Sequence, residues 1–136
     1  MKYKLVQTVL RTKMLTELVC TYHRRGILCP LLPQNCPPAE VSTFDNRTDI
    51  YRIGALLLAE VHNSCMPYQP HLYKQINRIL SCSGAELSLT ERDCLGEILQ
   101  RCLHPRPQGR YTCCEELLRA LDKLIGVSTA CRRIPP

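Results

Sequence analysis

Apolar side chains recur at a helical spacing along most of the chain and predict an all-α fold. The first helix is expected at 4–24, where the apolar positions repeat about every 3.6 residues before Gly26. A second helix at 48–62 is apolar on nearly all sides, so protein should surround it. Three further helices are expected within 70–126, followed by a loose tail at 127–136. The predicted architecture is one buried helix with four others around it.

Local signals mark the faces and ends of these helices. Thr48 and Asp49 are favourable first residues for the second helix. Ser88-Leu-Thr-Glu91 and Thr112-Cys-Cys-Glu115 are capping-box sequences that open two later helices, and Gly126 is expected to end the last. The predicted apolar face of the first helix consists of Leu5, Val9, Leu10, Met14, Leu15, Leu18, Val19 and Tyr22.

Composition and charge narrow the class of protein. The 136 residues suit one domain. The net charge of +6 comes from scattered Lys and Arg, and the chain has no Trp and one Phe, so no nucleic-acid partner is expected. The longest apolar run, 55–59, is too short for a bilayer, so no membrane partner is expected. Because the first residues do not resemble a signal peptide, we expect a cytoplasmic or nuclear location.

Ten cysteines raise the question of a metal site, but no C-x-x-C pair occurs, so no metal is expected and reduced thiols are favoured. Cys113-Cys114 lies at a helix start, a position that can lower a thiol pKa, while packed thiols remain the alternative. The histidines have no acidic or serine partner at a suggestive spacing. They are His23, His62, His71 and His104.

Two stretches resemble parts of a protein kinase domain. Residues 101–118 resemble its end, where Cys-Leu leads into Asp-Pro, Arg-Pro-Thr and a Glu-Leu-Leu helix. Arg110 falls in register, whereas Arg106 and Tyr111 replace the usual Asp and a common Pro. Asp49-Ile-Tyr-Arg-Ile-Gly54 is similar to the kinase F helix, with its Asp-x-Trp-x-x-Gly pattern.

The resemblance covers roughly residues 5–125 and implies a kinase-like large lobe at 1–126, with helices E, F, G, H and I and without the smaller lobe. Pro38-Ala39-Glu40 resembles the Ala-Pro-Glu that closes an activation segment. In the family that Glu pairs with the Arg matched here by Arg110, and the Asp matched by Asp49 holds backbone amides of the catalytic loop. The implied framework residues are Glu40, Arg110, Asp49 and Gly54.

The segment 27–40 resembles a degenerate catalytic loop. With one deletion, the His, Arg and Asp of the family's His-Arg-Asp are matched by Cys29, Pro30 and Leu31, and Asn35 keeps the loop Asn. Leucine cannot accept a proton, and only four residues separate Asn35 from Glu40, which leaves no room for Asp-Phe-Gly. Because phosphoryl transfer depends on such charged groups, we expect no kinase activity, no cofactor and no binding of ATP with magnesium.

These observations favour a catalytically inactive, kinase-like interaction or regulatory module with a protein partner. The expected docking surface surrounds Tyr68, Leu72 and Tyr73, because helix G often serves as a docking face in the family. The alternative is a fragment or splice form of an active kinase whose catalytic parts lie outside this chain. A truncated product without a settled role is a third possibility.

Overall fold

A computed structural model describes residues 4–40, 45–63, 69–82 and 87–133. These residues form five α-helices, α1 (Lys4–Arg24), α2 (Asn46–His62), α3 (Ile76–Cys82), α4 (Leu89–Cys102) and α5 (Cys114–Arg133), with short 3-10 turns at Pro38–Glu40, Leu72–Gln75 and Pro107–Gly109. The described ranges contain no β-strand, so the all-α prediction is confirmed for them.

The central helix is α2. It packs against α1, α3 and α4, and eleven of its residues are buried, from Thr48 to Val61. The helix begins two residues earlier than predicted because Asp45, and not Thr48 or Asp49, supplies the cap by accepting a hydrogen bond from the Arg47 amide. The prediction of a buried central helix is confirmed, and its predicted cap is wrong.

Helix α1 packs on α5 and α2 with a face that differs from the predicted one. Leu5, Val9 and Val19 are buried as expected, but Leu10, Met14 and Leu18 are exposed, Met14 by 70%. Their places are taken by Thr8, Thr12 and Thr16, which are all buried. The hydroxyls of Thr12 and Thr16 each donate to the carbonyl four residues earlier, at 2.9 and 2.8 Å, so these polar groups can be buried without loss of hydrogen bonding.

A hydrogen bond links the start of α4 to the later part of α5. The Ser88–Glu91 capping box is present, with Glu91 N to Ser88 Oγ at 3.1 Å and Ser88 N to Glu91 Oε1 at 2.9 Å. The other Glu91 oxygen accepts the hydroxyl of Ser128, and both residues are buried. Ser128 lies beyond Gly126, and α5 continues to Arg133. The predictions that Gly126 ends the helix and that a loose tail follows it are therefore wrong for residues up to Arg133. Residues 134–136 lie outside the described part.

The start of α5 also departs from the prediction. Thr112 donates its amide to Glu116 Oε1 at 2.8 Å, and its hydroxyl donates to the same oxygen. Glu115 is not the reciprocal partner, because its carboxylate accepts instead from the Cys20 thiol at 2.8 Å. The capping-box prediction for Thr112–Glu115 is therefore wrong, and the turn before α5 is closed by a carboxylate one residue further on.

Gly54 sets the spacing between α2 and α4. A Cβ atom built at this position would lie 2.4 Å from Cys102 Cβ, closer than real carbon atoms approach. Because glycine has no side chain, the two helix backbones can approach each other closely here. In contrast, a Cβ at Gly126 in α5 would meet nothing within 4 Å.

These two glycines form a matched pair for a stability test. We expect Gly54→Ala to lower the free energy of unfolding by about 1–3 kcal/mol, because the added methyl overpacks the helix crossing. Gly126→Ala should raise it by up to about 1 kcal/mol through helix propensity. Urea unfolding followed by circular dichroism measures both, and equal effects would contradict the close approach at Gly54.

Candidate functional site

A buried ion pair joins two residues 70 positions apart in the chain. The Arg110 guanidinium donates to both carboxylate oxygens of Glu40, Nη1 to Oε1 and Nη2 to Oε2, each at 2.7 Å. Glu40 ends the first 3-10 turn, and Arg110 directly follows the last one. The two parallel bonds form the bidentate geometry in which arginine binds carboxylates most strongly. The contact that the resemblance implies between these residues is present.

The guanidinium of Arg110 has an acceptor for each of its N–H groups. Its Nε donates to the His104 carbonyl at 2.8 Å, Nη1 also reaches the Arg47 carbonyl at 3.1 Å, and Nη2 also reaches the Pro105 carbonyl at 3.4 Å. With the two bonds to Glu40, these contacts use all five donors that an arginine offers. Such complete pairing allows a charged side chain to be only 1% exposed.

Glu40 is held in its ionised form. Burial alone would raise the pKa of this carboxyl, but the hydrogen bonds and charge of Arg110, with smaller contributions from Thr48 and Arg52, hold its pKa below the usual range. The Thr48 hydroxyl donates to Glu40 Oε1 at 2.9 Å, and the Arg110 guanidinium lies 4.9 Å from the centre of the Tyr51 ring. We call Glu40, Thr48, Tyr51 and Arg110 the clasp.

Asp49 is a second buried junction, next to the clasp in α2. Its Oδ2 accepts the backbone amide of Cys29 at 2.7 Å and lies 3.1 Å from His23 Nε2, and its Oδ1 accepts Arg52 Nη1 at 3.0 Å. Arg52 in turn donates to Gln34 Oε1 at 2.8 Å. A single carboxylate therefore ties the end of α1 and the segment 27–40 to the central helix. The bond from the Cys29 amide is of the kind that the resemblance implies for Asp49.

The segment 27–40 buries one set of side chains and exposes another. Cys29, Leu32 and Cys36 are buried in the main core, and Asn35 is half-buried. Pro30 is exposed, and Leu31 is 68% exposed. The position that the resemblance assigns to the proton-accepting Asp thus presents an aliphatic side chain to solvent.

Three side chains that the sequence did not connect meet beside Asp49. His23 Nδ1 lies 3.1 Å from Cys114 Sγ, and its Nε2 lies 3.1 Å from Asp49 Oδ2. No acidic residue lies at a suggestive spacing from His23 in the sequence, but in the structure Asp49 is its partner, because the end of α1 and the start of α5 meet at the start of α2. Spacing along the chain carries no signal for this meeting.

The order thiol, imidazole, carboxylate is also that of a catalytic nucleophile with its base. Here the thiol is sealed, since Cys114 is 1% exposed, and burial raises its pKa well above the usual range. The helix-start position does not lower this pKa, because burial is the largest cause of its shift and raises it. A buried thiol without access for a substrate is a packing and hydrogen-bonding group, so the packed-thiol alternative is favoured for Cys114.

The structure changes the predicted docking surface. Leu72 is 3% exposed and belongs to the core, so it cannot contact a partner. Tyr73 is half-buried, with its ring 5.2 Å from that of His104. Tyr68 lies outside the described residues. Of the predicted surface, Tyr73 alone is described and accessible.

Comparisons with protein-family models, with curated proteins and with solved structures found no match for this chain. Within the described ranges, the helices include none whose length and apolar character would let it cross a membrane. The same residues contain no grouping of three or more His, Cys, Asp or Glu side chains able to hold a metal ion.

The clasp should contribute strongly to stability and in a pH-dependent way. Arg110→Met leaves the Glu40 carboxylate buried without its partner, and we expect a loss of about 3–5 kcal/mol in the free energy of unfolding. Because the pKa of Glu40 is lowered on folding, its stabilising effect is present above its ordinary pKa of 4.5 and is lost as the pH falls through the lower folded-state pKa. Glu40→Gln should thus be less stable than the unmodified chain at pH 7, with a gap that shrinks in acid.

Urea titrations of both variants at pH 7 and at acidic pH measure these effects. The control is Asp122→Asn, which removes the exposed ion pair between Lys13 Nζ and Asp122 Oδ1 at 2.8 Å. Exposed pairs stabilise weakly, so this change should have a much smaller effect. A gap for Glu40→Gln that is independent of pH would contradict an ionised Glu40.

Leu72 should act in the core and not at a surface. We expect Leu72→Ala to lower the free energy of unfolding by about 2–5 kcal/mol, because it leaves a cavity beneath α3. Leu89→Ala is the matched control, since Leu89 is 68% exposed and should change stability by less than about 0.5 kcal/mol. Thermal unfolding of both variants tests this, and similar melting temperatures would place Leu72 outside the core.

Proposed function

We propose that this chain is the large helical lobe of a degenerate protein kinase, without phosphoryl-transfer activity, that serves as a protein-interaction or regulatory module. The observation that carries the proposal is the junction of the clasp with Asp49. The segments that resemble separate kinase motifs meet there through side chains that the resemblance names. Two of these pairings, Arg110 with Glu40 and Asp49 with the amide of Cys29, link residues 70 and 20 positions apart.

The local chemistry supports the absence of phosphoryl transfer. A kinase needs one carboxylate to accept the substrate proton and another to hold magnesium. Leu31 occupies the first of these positions in the proposed alignment, and the short interval from Asn35 to Glu40 contains no acidic residue. Asp49, the nearest carboxylate bonded to this segment, is fully buried and already accepts three hydrogen bonds. Neither substrate nor metal can reach it.

An interaction role follows from what remains. The residues that hold the lobe together are intact, while the exposed ones at the loop have changed chemistry. A helical scaffold with exposed side chains such as Pro30 and Leu31 in the described part of a loop is suited to binding another protein. On this proposal the fold is kept for its surfaces and not for a reaction.

A second candidate is a fragment or splice form of an active kinase. Ile27 and Leu31 favour it, because both are exposed, by 43% and 68%, at the edge that would face a nucleotide cleft. Apolar side chains at such an edge are expected where a further part of the protein covers them. Sequencing the complete transcript separates the candidates, because His-Arg-Asp and Asp-Phe-Gly motifs encoded elsewhere would support the second.

The inactive assignment predicts that ATP with magnesium does not stabilise the chain. A ligand at 100 times its Kd adds about 2.7 kcal/mol to the folded state, which raises the Tm of a domain of this size by several degrees. We expect no rise in a thermal-shift assay with millimolar ATP and magnesium, with an active kinase measured alongside as a control. A magnesium-dependent rise in Tm would overturn the assignment.

A further inference from the structure

A groove lies between the 3-10 turn that precedes α3 and the loop that joins α4 to α5. It is open to solvent, has a volume of about 440 Å³, and is lined by Pro70, His71, Tyr73, Lys74, His104, Pro105 and Arg106. This volume is within the range of known ligand sites, about 300–1,000 Å³. It is separate from the clasp, although His104 and Pro105 contribute carbonyls to Arg110 from the other side of the same loop.

The floor of the groove is aromatic and held in place. The rings of Tyr73 and His104 are tilted by 43° with centroids 5.2 Å apart. His104 Nδ1 lies 3.0 Å from the amide nitrogen of Arg106, and the ring rests against Gly109, where an added Cβ would lie 2.4 Å from it. The imidazole is thus packed from both sides, and the groove needs little rearrangement before it receives a ligand.

The rim of the groove is positively charged. Lys74 and Arg106 are both exposed, and the Lys74 ammonium lies 5.9 Å from the centre of the Tyr73 ring. Among the residues that the structure describes, neither side chain has a carboxylate within ion-pair distance, and no lining residue is acidic. Two cations beside an aromatic and proline floor, neither of them paired with a carboxylate in the described part of the chain, are complementary to an anionic ligand that also carries an apolar group.

We propose that this groove binds an acidic segment of a protein partner, with an apolar or aromatic side chain against Tyr73 and His104 and flanking carboxylates at Lys74 and Arg106. This proposal adds a location and a ligand chemistry to the interaction role proposed above. It rests on that role and does not depend on the relationship to kinases. Nucleic acid fits less well, because duplexes are bound through many phosphate contacts. A free anion would leave the aromatic floor unused.

Fluorescence polarisation with the full chain tests the proposal. The probe is a labelled peptide Gly-Glu-Glu-Phe-Glu-Glu-Gly, compared with the same peptide carrying Gln in place of Glu and with one carrying Ala in place of Phe. We expect the acidic peptide to bind at least about 10-fold more tightly than the Gln peptide, with affinity that falls as salt rises. The Ala peptide should bind more weakly as well, because it cannot cover the floor.

A pair of double variants assigns the binding to the groove. Lys74→Glu with Arg106→Glu should weaken the acidic peptide by about 10-fold or more, about 1.4 kcal/mol per factor of ten. Arg119→Glu with Lys123→Glu makes the same change in net charge at exposed positions of α5 and should leave the affinity unchanged. The Tm of each variant shows that a loss of binding is not a loss of folding.

Each other outcome counts against the groove. Equal binding of the Gln peptide, an equal loss in the α5 variant, or tighter binding of a short RNA or of inorganic phosphate than of the acidic peptide would overturn the proposal. These results are independent of the nucleotide assay. Failure of peptide binding leaves the inactive kinase-lobe proposal in place, and stabilisation by ATP with magnesium removes that proposal without affecting the groove.

Discussion

The fold depends on one guanidinium group placed where water cannot reach it. A buried charge is tolerated only when its hydrogen-bonding groups are all paired, and Arg110 meets this condition with two carboxylate oxygens and three backbone carbonyls. Those carbonyls belong to the start of α2 and to the loop between α4 and α5, and the carboxylate belongs to the turn at Pro38–Glu40. A single side chain therefore links three parts of the chain.

Asp49 extends this arrangement towards α1. Its carboxylate accepts hydrogen bonds from His23, from the Cys29 amide and from Arg52. The clasp and Asp49 are therefore two neighbouring groups of buried polar contacts at the start of α2. The apolar packing of α2 and the close approach at Gly54 then determine where the other helices lie. Polar contacts shape the irregular segments, and apolar contacts shape the helical ones.

The helices and the clasp could be predicted from sequence for different reasons. Apolar spacing identifies α2 because that helix is buried on nearly every side, whereas it misleads at α1, where threonines satisfy their own hydroxyls and displace Leu10, Met14 and Leu18 to the surface. The contact between Glu40 and Arg110 followed from a family resemblance, since no local pattern links residues so far apart. Neither a local pattern nor the resemblance predicts the contacts of Ser128 with Glu91 and of His23 with Cys114. They depend on which helix ends meet, and a linear pattern does not contain that information.

The path of the segment 27–40 depends on a backbone hydrogen bond from the Cys29 amide to Asp49, and not on the side chains that the segment exposes. The carboxylate holds a backbone group, which every residue except proline possesses, and Leu32 and Cys36 anchor the inner side. Pro30 and Leu31 face outward and take no part in this support. Side chains at those two positions are therefore free to change in character while the chain keeps its path, because the contacts that hold the segment do not involve them.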